Sequence, residues 1–141
     1  MVVNNEEKTV FLVDDNASNL MIGKNLLSET YKVFTCNSGA RMFKLIERIT
    51  PALILLDIEM PEMNGYEIIK QLKGQQATAD IPVILVTAHH DNESKAKGLS
   101  LGAVDYITKP FSPQLLLERI ERHLGVTGQD AAAPAGTDVS K

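Results

Sequence analysis

Apolar runs and helical patterns alternate five times along the chain, after a polar and loose stretch from Met1 to Glu7. The strand-like runs are Thr9–Val13, Tyr31–Thr35, Ala52–Leu56, Val83–Thr87 and Val104–Ile107. The first, third and fourth are continuously apolar, as strands covered on both faces should be. The second alternates and has more polar neighbours, which predicts an edge strand.

Helical spacing fills the intervals. Leu20, Met21, Leu26 and Leu27 predict a broad apolar face on a first helix. In a second, Met42, Phe43, Ile46 and Ile49 recur, with Ser38 as N-cap. Tyr66, Ile69 and Leu72 follow Asn64-Gly65 in a third, and Gly74 stops it. A fifth opens with Ser112-Pro113, a cap followed by proline at the first helical position, and Leu116, Ile120 and Leu124 recur along it. The fourth, from Asn92 to Leu101, has only Ala96, Leu99 and Leu101 as anchors. Gly98 inside it costs about 1 kcal/mol relative to alanine. It should be the least secured helix, and moving segments come from the low-stability end of a structure. The pattern alone fits an ordinary surface helix equally well. Five βα units predict an α/β fold: a flavodoxin-like, doubly wound parallel sheet in the order 2-1-3-4-5.

The 141 residues suit one domain with a real core, and 44% apolar with 23% charged residues is an ordinary globular balance. A net charge of -4 argues against a nucleic-acid surface. No apolar stretch is long enough to span a membrane and the N-terminus lacks a signal-peptide pattern, so a cytoplasmic location is expected. Cys36, the one cysteine, excludes an internal disulfide and reads as a small buried hydrophobe. From Gly125 the chain turns to Ala, Gly, Thr and Asp, which reads as a disordered tail or a linker after a domain spanning 8–124.

Candidate chemistry lies at the strand ends. Val10-Phe11-Leu12-Val13 runs into Asp14-Asp15, and Leu53-Ile54-Leu55-Leu56 runs into Asp57. In the order 2-1-3-4-5 these acids share one crevice at the carboxyl ends of the strands. Three carboxylates there repel one another unless a cation joins them, and Mg2+ prefers such oxygens and often binds with a phosphate. Asp57 is the candidate nucleophile, since a carboxylate can accept a phosphoryl group as an acyl phosphate. Thr87 ends the fourth strand, where its hydroxyl could donate to a phosphoryl oxygen, and Ala88 leaves room beside it. Lys109 ends the fifth strand as a point charge suited to an anion. A cis Lys109-Pro110 bond would aim it into the crevice. Singly, each has a plain reading: a strand-end acid, an Asp-Asp-Asn turn, a strand threonine, a solvated lysine.

Together they are more specific. Val13-Asp14-Asp15-Asn16, Leu56-Asp57-Ile58-Glu59-Met60-Pro61, Val86-Thr87-Ala88 and Gly102-Ala103-Val104-Asp105-Tyr106-Ile107-Thr108-Lys109-Pro110-Phe111 resemble the response-regulator receiver domains of two-component signalling. The resemblance covers about Lys8 to Leu124. It implies that Asp57 receives phosphate from a phosphohistidine on a sensor histidine kinase or histidine phosphotransfer protein. Asp14, Asp15, Asp57 and the main-chain carbonyl of Glu59 would hold Mg2+, and Thr87 and Lys109 would bind phosphoryl oxygens. Tyr106 would be a switch aromatic that turns inward as Thr87 moves; its plainer reading is a half-buried strand tyrosine. The chain would be a phosphoacceptor with slow self-dephosphorylation, not a turnover enzyme. Its fourth helix, fifth strand and fifth helix would signal to a downstream protein or a fused output domain.

Glu59 and His89 stand where receivers line the route of hydrolytic water, and are expected to tune phosphate lifetime; His89 and His90 read otherwise as a solvated loop. In DNA-binding relatives the signalling face forms a homodimer through charged pairs. Asp105 and Arg119 match part of that pattern, but Val104 and Leu115 stand where acids are usual. Three other readings compete. A haloacid-dehalogenase-like phosphatase would use Glu59 as acid/base, but its metal-binding acids come late in the chain. A flavin carrier shares the topology, but acids crowd its phosphate loop. A pseudo-receiver that only binds proteins would not need the complete set of five site residues.

Overall fold

The computed structural model of the chain describes residues 8–88 and 91–124. Strands and helices alternate as β1 (Thr9–Val13), α1 (Ala17–Leu27), β2 (Lys32–Cys36), α2 (Gly39–Ile46), β3 (Leu53–Asp57), α3 (Gly65–Lys73), β4 (Val83–Thr87), α4 (Asn92–Ser100), β5 (Asp105–Thr108) and α5 (Pro113–Leu124). The five strands pair in parallel in the order β2-β1-β3-β4-β5, as expected, with β2 at one edge. The segments 1–7 and 125–141, expected to be loose, and His89 with His90 lie outside the described residues.

Alternate strand residues face opposite sides of the sheet. Phe11, Ile54, Leu56 and Leu85 pack on one side with Met42 of α2 and Ile69 and Leu72 of α3. Val10, Leu53, Leu55, Ile84 and Ile107 pack on the other with Leu27 of α1 and Leu116 and Ile120 of α5. Every residue of β3 and β4 is buried, which is why those runs carry no polar alternation.

Three strands start one residue later than their apolar runs. Tyr31 precedes β2 because its amide closes the end of α1 on the Leu27 carbonyl at 2.9 Å, and its side chain is buried there. β3 extends to include Asp57, which pairs with Val86. Ile49 falls beyond α2, in a turn in which its amide bonds the Leu45 carbonyl at 2.9 Å.

The broad apolar face expected on α1 is narrower. Leu27 is fully buried, but Met21 is 65% exposed, as is Ile22. Leu20, Gly23 and Leu27 form the inward stripe, and Met21 falls off it. In α4 the expected anchors Ala96 and Leu99 are exposed, and Gly98 is the buried residue. A Cβ at Gly98 would stand 2.6 Å from Leu85 Cδ1 and 3.5 Å from Tyr106 Cδ2. The glycine that weakens the helix is therefore what lets it approach the sheet.

Caps follow the sequence. Ser38 Oγ accepts from the Arg41 amide at 3.1 Å and Ser112 Oγ from the Leu115 amide at 3.0 Å. Asn64 forms a full capping box with Glu67. At the other edge, Arg119 of α5 donates to Asp105 Oδ1 at 2.7 Å and His123 Nε2 lies 3.0 Å from Asp105 Oδ2. Asp105 is thus paired within its own chain, and its carboxyl lies below the usual range: burial pushes it up, but His123, the Tyr106 amide and Arg119 outweigh that.

Candidate functional site

β1 and β3 are neighbours, with Val13 opposite Leu56, so Asp14 and Asp57 emerge side by side. Asp14, Asp15 and Asp57 each offer a carboxylate oxygen, and these atoms lie within 4.8 Å of one another. Asp14 and Asp57 are buried and Asp15 is exposed. The crevice predicted from the strand order is therefore present.

Each acid is held by its surroundings. Asp14 Oδ1 accepts from the Asn16 amide at 2.9 Å and its Oδ2 accepts from Asn19 Nδ2 at 3.1 Å. Asn16 also caps α1, its side chain accepting from the Asn19 amide at 2.9 Å. Asp57 Oδ1 accepts from the Glu59 amide at 3.2 Å. Beneath it, Gly65 packs on the backbone of Asp57 and Ile58, and its amide donates to the Ile58 carbonyl at 2.8 Å.

Lys109 closes the crevice from β5. Its Nζ lies 3.6 Å from Asp14 Oδ2 and 3.7 Å from Asp57 Oδ1, and the Lys109-Pro110 bond is cis. Its amide donates to the Thr87 carbonyl at 2.7 Å, so β4 and β5 leave the sheet together. The Asp57 carboxyl is pushed up to about 6, first by burial and then by the Asp14 charge, against the pull of Lys109 and the Glu59 amide. One cation does not neutralise three carboxylates.

Thr87 is fully buried, and its hydroxyl donates to the exposed Glu59 carboxylate at 3.5 Å. Ala88 beside it is exposed. Tyr106 is 7% exposed, more enclosed than the half-buried tyrosine of the plain reading. Burial pushes its phenol up, as do Tyr66 and Asp91, while the hydroxyls of Thr87 and Ser94 beside it pull it down.

The structure brings Asp14, Asp15, Asp57, Glu59, Thr87 and Lys109 together, with Tyr106 behind Thr87. Two contributors went unnoticed in the sequence. Asn19 orients Asp14, and its signal is its place three residues after the N-cap Asn16. Gly65 carries the β3 end, and Asn64-Gly65 read only as a helix start.

A doubly wound sheet with an acid cluster, a hydroxyl and a lysine at its carboxyl edge defines a class of phosphate-handling α/β domain. Residues 10–121 match the response regulator receiver domain, and the chain belongs to that family. It is 40% identical over 129 residues to the phosphate regulon transcriptional regulatory protein PhoB of Pseudomonas aeruginosa, a match covering 90% of this chain and 56% of PhoB. It is also 40% identical over 116 residues to a probable cyclic di-GMP phosphodiesterase of Vibrio cholerae, covering 82% of this chain and 26% of that protein. The chain thus spans about half or less of these relatives. Among solved structures, the receiver domain of a Syntrophus aciditrophicus signal-transduction histidine kinase superposes with a TM-score of 0.77 at 34% identity, covering 84% of this chain and 90% of that one. Vibrio cholerae chemotaxis protein CheY4 gives 0.80 at 28% identity, covering 84% of this chain and all of that one. Among the described residues no helix is long and apolar enough to cross a membrane.

Proposed function

We propose that this receiver domain takes a phosphoryl group onto Asp57 from a phosphohistidine donor and passes the change to its α4-β5-α5 face. The observation that carries this is the convergence of Asp14, Asp15 and Asp57 within 4.8 Å, with Lys109 at 3.7 Å from Asp57. All the donors are hard oxygens, and a divalent cation offsets both the burial and the Asp14 charge that raise the Asp57 carboxyl. Asp14, Asp15, Asp57 and the Glu59 carbonyl would hold Mg2+, which, when bound, neutralises charge on the phosphoryl oxygens.

The chain's own residues do the rest. An Asp57 oxygen attacks phosphorus as the P–N bond to the donor imidazole breaks, and the bonding pair leaves with the imidazole nitrogen, which takes a proton from solvent. Asn16 and Asn19 hold Asp14 in place. Lys109 and the Thr87 hydroxyl meet the transferred oxygens, so positioning and charge carry the reaction. Thr87 must then leave Glu59, and Tyr106 and α4 follow.

The donor is a sensor histidine kinase or a histidine phosphotransfer protein. Exposed Ile22 borders a cavity of about 410 Å³ that opens beside Asp57 and is lined by Gly23, Leu26, Phe111 and Leu116. This apolar rim suits a helix that carries the phosphohistidine. The unit spans 8–124 and works in the cytoplasm as a phosphoacceptor, with its output in a downstream protein or a fused domain. A homodimer through Asp105 and Arg119 would first have to break their pairing within the chain.

The test is incubation with a small acyl phosphate and Mg2+, followed by borohydride reduction and peptide mapping. The expected product is one modified residue, Asp57; modification elsewhere contradicts the assignment. The same phosphorylated protein reports on Glu59. Its carboxylate beside Thr87 can orient the hydrolytic water, so Glu59→Ala should slow phosphate loss by roughly threefold or more. His89→Ala, measured alongside, should also change the rate. Rates equal to wild type in both variants would remove these residues from the mechanism.

A further inference from the structure

Helix α4 has little apolar anchorage, with Gly98 its only buried residue. A second attachment comes from α3. The Tyr66 hydroxyl donates to the main-chain carbonyl of Ser94 at 3.1 Å, and Lys97 Nζ lies 4.4 Å from the centroid of the Tyr66 ring. Ser94, Lys97 and Gly98 are three and four residues apart, so they share one helix face. Tyr66 therefore grips α4 along the line on which Gly98 meets the sheet.

The gripped turn also faces Tyr106. The Ser94 hydroxyl lies beside the Tyr106 phenol, and Ser94 is fixed to the N-cap: Asp91 Oδ2 accepts from its amide at 2.8 Å and Asp91 Oδ1 from its hydroxyl at 3.1 Å. Gly98, four residues on, brings the helix against the Tyr106 ring. Ser94 thus stands between two tyrosines, one on α3 and one on β5. With so little apolar burial in α4, one hydrogen bond and one cation–π contact are a large share of what holds it.

We propose that Tyr66 is a positioning residue for the phosphorylation switch, its hydroxyl holding Ser94 in the first turn of α4 and its ring holding Lys97 in the last, in the arrangement in which Tyr106 is buried. This rests on the phosphoacceptor reading of Asp57. A phosphoryl group that draws Thr87 inward favours that same arrangement, so the tether and the phosphoryl group bias one equilibrium. Loss of the tether must then weaken whatever occupies the phosphoryl position, although the tether itself runs from Tyr66 to Ser94 and Lys97 of α4.

The experiment uses beryllofluoride with Mg2+, a stable stand-in for the phosphoryl group, on the full chain. Tyr66→Phe removes the hydroxyl and keeps the ring; Lys97→Gln removes the cation and keeps the hydroxyl. In Tyr66→Phe, α4 amides should exchange about threefold or more faster, with β1 and β3 unchanged, and beryllofluoride affinity should fall about threefold. Lys97→Gln should shift both in the same direction by less. Affinity equal to wild type in Tyr66→Phe overturns the inference, whatever the exchange shows. So does an acceleration spread evenly through the strands, because that marks a general loss of stability. A wild-type chain that binds no beryllofluoride overturns the phosphoacceptor reading itself, and this inference with it.

Discussion

Asp57→Asn should abolish phosphoryl incorporation and yet yield the more stable protein in metal-free solution at neutral pH. Asp57 is 5% exposed, and burial and Asp14 push its carboxyl from 3.8 to about 6. An acid whose folded pKa lies above its unfolded one binds its proton more tightly when folded. Its ionisation therefore opposes folding. Stability from this group is full below the unfolded value and declines as pH rises to the folded value, after which the loss is constant. The shift corresponds to about 2–3 kcal/mol at neutral pH. Asparagine keeps the shape and removes the charge. Urea unfolding with a chelator, run from pH 4 to 8, should show the variant ahead by that order at pH 7 and nearly level with wild type at pH 4. Equal or lower stability at pH 7 would mean that the crevice does not strain its central acid. The site is built against stability, as expected where charge is gathered for function.

Gly65→Ala should be the most damaging small substitution near the site. A Cβ there would lie 2.8 Å from both the Asp57 carbonyl oxygen and the Ile58 Cα. These are backbone atoms at the end of a fully buried strand, so they cannot turn aside. Overpacking of this kind costs about 1–3 kcal/mol, and here the strain falls on the residue that carries the nucleophile. The variant should unfold at lower urea and accept phosphate more slowly than its folded fraction explains. Gly23→Ala is the control. Its Cβ would come within 2.5 Å of Leu12 Cδ2, the tip of a flexible side chain, and alanine is the better helix residue. That variant should fold within about 1 kcal/mol of wild type. If both behaved alike, contact with the β3 backbone would not be what Gly65 is for.

Much of this was legible in the chain because burial writes itself into composition. β3 and β4 are buried along their whole length, so their runs are unbroken; β2 lies at the edge and carries exposed Lys32 and Thr35 among its apolar residues. The site acids could be placed because parallel strands all end on one side, which turns strand order into proximity. What stayed hidden depends on close approach. Gly98 reads in sequence as a weakness and in space as the contact that seats α4. Met21 counts as apolar wherever it stands, and only helix phase shows that it faces solvent. The grip of Tyr66 on Ser94 joins residues 28 apart on different helices, and no local pattern records it.

The most direct test of the central claim is the intact mass of the chain after exposure to a small acyl phosphate across a Mg2+ titration. The account predicts one phosphoryl group per chain, rising saturably with Mg2+, absent under chelation and absent in Asp57→Asn. Equal incorporation under chelation, or full incorporation without the Asp57 carboxylate, would contradict it.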